Sequence, residues 1–142
     1  MKNLIILLLV FSIATGCNSA VNQSEKNIAA AKEMFTAFNS HNWEKMVAAY
    51  TDTAEFLDPA FGTDYVKKTR KETVEKYAGM QQMFTDIKDD ITSISASGDM
   101  VTVQFISSGT PEGGQTWHLP ICSVLTFKDG KIVKDATYYD NE

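Results

Sequence analysis

The chain of 142 residues carries 13 basic against 18 acidic side chains, a net charge of −5. Its basic residues cluster only at Lys67, Lys68, Arg70 and Lys71, which argues against nucleic-acid binding. His41 and His118 lie far apart and no Cys/His group has zinc spacing, so no metal site is expected. A Gly-rich phosphate loop and a nucleophile elbow are missing as well, and no cofactor is expected.

The first sixteen residues hold one charge, Lys2, and Leu4 to Ile13 is almost wholly apolar. A charged start followed by so short an apolar run reads as a signal peptide rather than a membrane span. Ala14-Thr15-Gly16 before Cys17 resembles the bacterial lipobox, in which the cysteine is acylated and becomes the mature N-terminus. The resemblance implies a signal peptide over 1–16, lipidation of Cys17, a polar tether to residue 23 and one domain over 24–142. Acyl chains hold a protein to a bilayer at about 0.8 kcal/mol per buried CH₂. Asn18 after the cysteine favours the outer over the inner membrane, by likeness to the enteric sorting rule, so a lipid-anchored place in a bacterial cell envelope is expected. With Cys17 taken by lipid, Cys122 has no disulfide partner in the chain.

Ser24 reads as an N-cap, and Ile28, Ala31, Phe35 and Phe38 then recur at helical spacing, ending near Ser40. Asn42 can cap a shorter second helix that buries Trp43, Met46, Val47 and Tyr50. Ala54 to Asp58 reads as a strand that delivers a carboxylate into a Pro59–Gly62 turn, followed by an irregular loop to Lys68. Thr69-Arg70-Lys71-Glu72 has capping-box spacing, and a third helix carries Val74, Tyr77, Gln81 and Phe84.

From Asp86 the hydrophobic period changes to two. Strands over Ile87–Ala96, Met100–Ser108, Thr116–Phe127 and Ile132 to about Tyr139 are expected, with turns at Ser97-Gly98-Asp99 and Lys128–Lys131. Helices first and a meander of strands after them predict an α+β domain, with three helices on one curved, mainly antiparallel sheet.

The element order, the block FNSHNWEKMVAAYTDTAEFLDP and the closing FKDGKIVKDATYYD resemble the SnoaL-like and ketosteroid-isomerase-like branch of the nuclear-transport-factor-2-like superfamily. The likeness covers about residues 24–140 and implies a cone-shaped domain. It implies no single activity, because the scaffold hosts isomerases, cyclases, dehydratases, hydrolases and binding proteins. Carried over residue by residue, the isomerase's general base falls on Asp58. Its oxyanion donors fall on Met34, which cannot donate, and Cys122, which donates weakly. The base is kept and both strong donors are lost.

If the Lys128–Lys131 turn sets the register, Cys122 faces Thr137 and Val124 faces Asp135. His118, Cys122, Val124, Asp135, Thr137 and Tyr139 then share a face, which the resemblance makes the concave one, together with Val101, Val103 and Phe105. Trp117, Leu119, Ile121, Leu125 and Phe127 would form the opposite, greasier face, which pattern alone makes the core. Both readings hold if a second subunit covers it, so a homodimer is expected there, whereas a register slip of one would swap the faces.

The expected cavity holds Asp58 among Phe35, Tyr77, Val103, Phe105, His118 and Tyr139, with Cys122, Asp135 and Thr137 on its wall. Apolar neighbours, and no Lys or Arg within four residues of Asp58, predict a carboxyl pKa raised by desolvation. Two functions fit. One is a lipid-anchored module binding a small, largely apolar molecule. The other is a cofactor-independent isomerase, cyclase or dehydratase with Asp58 as general base and His118 as its proton partner.

Overall fold

The computed structural model describes residues 15–140, with side chains from residue 22 onward. The signal peptide expected over 1–16 lies almost wholly outside the described residues, as does the side chain of Cys17. The elements run α1 (Thr15–Asn39), α2 (Trp43–Val47), β1 (Tyr50–Leu57), a 3₁₀ turn (Pro59–Phe61), β2 (Val66–Thr69), α3 (Arg70–Met83), β3 (Lys88–Ser97), β4 (Met100–Gly109), β5 (Trp117–Lys128) and β6 (Lys131–Tyr138). No described helix is long and apolar enough to cross a membrane.

Local chemistry explains most of these boundaries. Asn42 caps α2 by accepting the Lys45 N–H at 3.0 Å. Thr69 and Glu72 close a capping box on α3, with the Glu72 carboxylate accepting the Thr69 N–H at 2.8 Å. Two expectations need correction. The helix does not begin at Ser24: α1 reaches back to Thr15, so the predicted tether is helical. No Gly or Pro interrupts residues 17–40, so nothing stops propagation once the C-terminal half is docked. The loop before α3 contains a short strand, β2, whose Val66 pairs with Phe56 on β1.

The sheet has six strands in the order β2-β1-β6-β5-β4-β3, all antiparallel except the β1–β6 pair. Three register shifts mark it, one of them in the β1–β6 pair between Tyr50 and Glu55. The β3–β4 register shifts between Ile91 and Ser93, and the β5–β6 register shifts between Thr126 and Phe127, leaving Val133 unopposed. Each extra residue bends its strand and reverses the in/out phase beyond it. The three helices fill the hollow, with Ala31, Met34, Phe35 and Phe38 of α1 buried beside Val101, Val103 and Phe105 of β4. Phe35 meets Phe105 edge to face at 4.9 Å.

The Val133 bulge overturns part of the register. Beyond it Leu125 pairs with Asp135 and Ser123 with Thr137, one place from the expected partners. On the other side, Phe105 pairs with Ile121 and Val103 with Ser123. The inner face of β5 is therefore Trp117, Leu119, Ile121, Ser123, Leu125 and Phe127. His118 is exposed on the outer face, and half-buried Cys122 shares that face. Asp135 and Thr137 point inward as expected, because the bulge displaced β6 relative to β5 without moving them off the concave face. The greasy face of β5 is thus the wall of the hollow, and the reason given for a covering dimer does not apply.

His41 is satisfied within the scaffold. Trp43 Nε1–H donates to Gln81 Oε1 at 2.9 Å, which fixes the amide, whose Nε2 then donates to His41 Nδ1 at 2.9 Å. The ring proton therefore sits on Nε2, which donates to the Ile87 carbonyl at 2.8 Å.

Candidate functional site

Between the helices and the concave sheet lies a cavity of about 210 Å³. Phe35, Phe38, Phe105 and Trp117 supply aromatic walls, Met34, Met46 and Met80 pliable ones, and Leu119, Ile121 and Leu125 an aliphatic floor. An engineered apolar cavity of about 150 Å³ holds benzene, so a molecule of one or two rings fits here. A smaller hollow of about 100 Å³ adjoins it and shares Asp58, Lys76, Tyr77, Asp135 and Thr137.

One polar pole sits on the β1–β6 side. Asp58 follows β1 and caps the 3₁₀ turn, its Oδ1 accepting the Ala60 N–H at 2.9 Å. Tyr139 Oη donates to the same oxygen at 2.7 Å, and Lys76 Nζ lies 2.8 Å from Oδ2. Burial raises the Asp58 pKa, but the Lys76 bond and charge, then the Ala60 N–H and the Tyr139 hydroxyl, outweigh it and hold the carboxyl below its ordinary value. The expected upward shift is therefore corrected. The cation that reverses it lies 18 residues along the chain, out of reach of any local reading. Tyr139 is pushed up to about 12, by burial and then by its bond to Asp58.

Deeper in the same wall, buried Asp135 accepts from Tyr50 Oη at 2.7 Å and from Thr137 Oγ1 at 3.1 Å. Ser123 completes this chain, its hydroxyl 2.8 Å from Thr137 Oγ1. Burial raises the Asp135 pKa more than those bonds lower it. One cavity thus holds two carboxyls pushed in opposite directions.

A second pole lies on the β3–β5 side, where Asp89, Ser107 and Trp117 line the cavity. Asp89 is raised to about 7, chiefly by burial and also by Asp90, with a Ser107 bond opposing.

Of the residues expected here, Asp58, Phe35, Tyr77, Phe105, Asp135, Thr137 and Tyr139 do line the cavity. Val103 is instead fully buried behind the wall. His118 and Cys122 lie on the other side of the sheet, so His118 cannot pass a proton to a ligand at Asp58. Sequence reasoning missed Lys76, Asp89, Ser107, Ser123 and Tyr50. Lys76 had a signal: Thr73, Lys76, Tyr77 and Met80 form an i, i+3, i+4, i+7 stripe, but a lysine within it reads as solvated. Asp89 had one as well, standing between Ile87 and Ile91 at strand spacing ahead of the bulge, but a carboxylate in such a stripe also reads as solvated. Among the described residues no group of three or more His, Cys, Asp or Glu side chains could hold a metal ion.

Residues 31–134 match the SnoaL-like domain family. None of the curated proteins matches the sequence. Among solved structures, the chain is similar to IdmH of Streptomyces antibioticus, proposed as a polyketide cyclase, at 21% identity and TM-score 0.71 over 81% of this chain and 92% of that one. It is also similar to an epoxide hydrolase of M. tuberculosis, described as LEH-like, at 19% identity and TM-score 0.70 over 83% and 85% of the two chains. A third likeness is to a protein of ketosteroid isomerase-like fold from Catenulispora acidiphila, solved with trimethylamine, at 19% identity and TM-score 0.69 over 79% and 85%. At these identities the likeness speaks for the fold alone. The matched segment spans well over half of the sequence and contains α2, α3, all of β1 to β5 and most of the cavity wall, so the chain belongs to the SnoaL-like domain family.

Proposed function

We propose that this protein binds a small, largely apolar molecule inside its cone while a lipid on Cys17 anchors it in a bacterial envelope, most naturally the outer membrane. The cavity carries this reading. It is lined mainly by aromatic, methionine and aliphatic side chains, with few polar groups converging at two poles, the usual make-up of a small-molecule site. The anchor rests on the lipobox-like run before Cys17, and mass spectrometry of the native N-terminus tests it. A soluble protein with an unlipidated terminus elsewhere overturns that part. We also propose a homodimer, through the outer sheet face around Tyr138, which is 52% exposed. Light scattering decides between one mass and two.

Binding is preferred to base catalysis because Asp58 already accepts bonds from Lys76, Ala60 and Tyr139, which weakens it as a base. One observation favours the enzymatic alternative. Asp58 is held ionised while Asp135, lining the same cavity, is pushed toward its neutral form, and such a split pair can serve as base and acid. Isomerisation, cyclisation or dehydration of the bound molecule would then need both groups. A thermal-shift screen of steroids, polyketides and aromatic acids, followed by turnover assays on each hit, separates the readings. A binding module shows shifts and no turnover. An enzyme loses turnover in Asp58→Asn and Asp135→Asn while still binding.

A further inference from the structure

The polar groups of the cavity are not equally satisfied. At the Asp58 pole every carboxylate oxygen has a donor, and at Asp135 both oxygens do as well. At the opposite pole Asp89, only 8% exposed, has an Oδ1 without a hydrogen-bond partner. The indole N–H of Trp117, on the same stretch of wall, also lacks one. Orphaned buried groups of this kind each weaken a fold measurably and are rare in native proteins.

Their positions follow from the register. Asp89 pairs with Ser107, and Ser107 with Leu119, so these three form one rung across β3, β4 and β5. Trp117 lies two residues before Leu119 on the same inner face. An acceptor and a donor without partners thus stand on neighbouring rungs, across the sheet from Asp58 and with the aromatic walls between. Both atoms are sealed from water as the side chains stand. The torsions that turn the Asp89 carboxyl and the Trp117 indole are both broad, so the partnerless oxygen and the indole N–H can each turn to the cavity when a ligand arrives.

Resting on the reading of the cavity as a ligand site, we infer that the Asp89–Trp117 pole is a specificity subsite for a hydroxyl group on an otherwise apolar ligand. A hydroxyl both donates and accepts, so one group can give its proton to Asp89 and accept from Trp117. A hydrocarbon leaves both unpaired. A ketone can serve Trp117 alone while the Asp89 carboxyl is ionised. Asp89 titrates near neutrality because burial disfavours its charge, and an alcohol can pair with either protonation state. The chemical class is therefore a one- or two-ring aromatic or alicyclic alcohol or phenol, entering with its ring against Phe35 and Phe105.

The test uses three probes of nearly equal shape, propylbenzene, 2-phenylethanol and 2-phenylethylammonium, with affinities measured by ligand-observed NMR on the full chain. In the wild type the alcohol binds at least as tightly as the hydrocarbon, despite its greater cost of leaving water. In Asp89→Leu and in Trp117→Phe the ratio of alcohol to hydrocarbon affinity falls by about tenfold, the worth of one hydrogen bond. Both residues line the cavity, so the hydrocarbon's own affinity is measured in every variant as the reference against which the ratio cancels changes of cavity shape. Asp89→Asn, which still donates and accepts, keeps the ratio, so a purely structural role for Asp89 is distinguished; circular dichroism verifies each fold. The inference is overturned if the ratio survives Asp89→Leu, if it collapses instead in Asp58→Asn, or if the ammonium outbinds the alcohol in the wild type. Failure of all three probes to bind the wild type overturns the ligand-site reading itself.

Discussion

Replacing Lys76 by methionine isolates the contact that sets the charge state of the site. The substitution keeps the length of the side chain and removes the ammonium, which lies 2.8 Å from Asp58 and 4.5 Å from the centre of the Phe61 ring. Leaving one partner of a fully buried ion pair alone costs about 3–5 kcal/mol. Here the side chains are 28% and 14% exposed, and Asp58 keeps its bonds from Ala60 and Tyr139. The expected loss at pH 7 is therefore about 2 kcal/mol. The pH dependence gives the sharper check. In the wild type the native Asp58 pKa lies below the unfolded value, about 3.9, so its stabilisation is present above that value and is lost as pH falls through the native pKa. In Lys76→Met, burial is left as the largest influence, the native pKa rises, and the variant gains on the wild type as Asp58 takes up its proton. Urea unfolding at neutral pH and at about pH 3, with carbon-13 titration of the Asp58 carboxyl, measures both. The same loss at both pH values, or a wild-type Asp58 that titrates at or above 3.9, refutes the reasoning.

Asp89→Asn should change the opposite slope. A native pKa of about 7 against about 3.9 unfolded means that wild-type stability falls as pH rises through that window, by at most on the order of 4 kcal/mol. Ser107 from β4, Asn39 from α1 and the Lys88–Asp90 pair on β3 are the polar and charged groups around it. Thermal unfolding across pH 4 to 8 should show the slope in the wild type and a flatter curve in the variant. Thr69→Ala removes the capping box and should cost about 1 kcal/mol in urea titration. His118→Ala, on the outer face, should stay within about 0.5 kcal/mol of the wild type and leave probe affinity unchanged. Leu119→Ala, one residue away on the inner face, should cost about 1–3 kcal/mol and alter affinity; equal effects at 118 and 119 would restore the register without the bulge.

What the sequence determined by itself is local in its physics. The apolar stripe of α1 from Ala31 to Phe38, the Asn42 cap, the Thr69–Glu72 box and the glycine of each hairpin turn act over a few residues, and their order implies helices on a curved sheet. Asp58 before Pro59 was legible for the same reason, whereas the inward face of Val101, Val103 and Phe105 came from the family resemblance and not from the pattern. The tertiary structure decided everything that depends on two strands agreeing. The Val133 bulge, which no residue type announces, slipped β5 past β6 by one place, so Trp117, Leu119 and Ile121 went inside and His118 and Cys122 outside. The charge state of Asp58 was decided the same way, by Lys76 arriving from α3. A period-two pattern records that a strand has two faces, but which face meets the helices is set by pairing across the sheet, and a pKa is set by whatever the fold brings within a few ångströms.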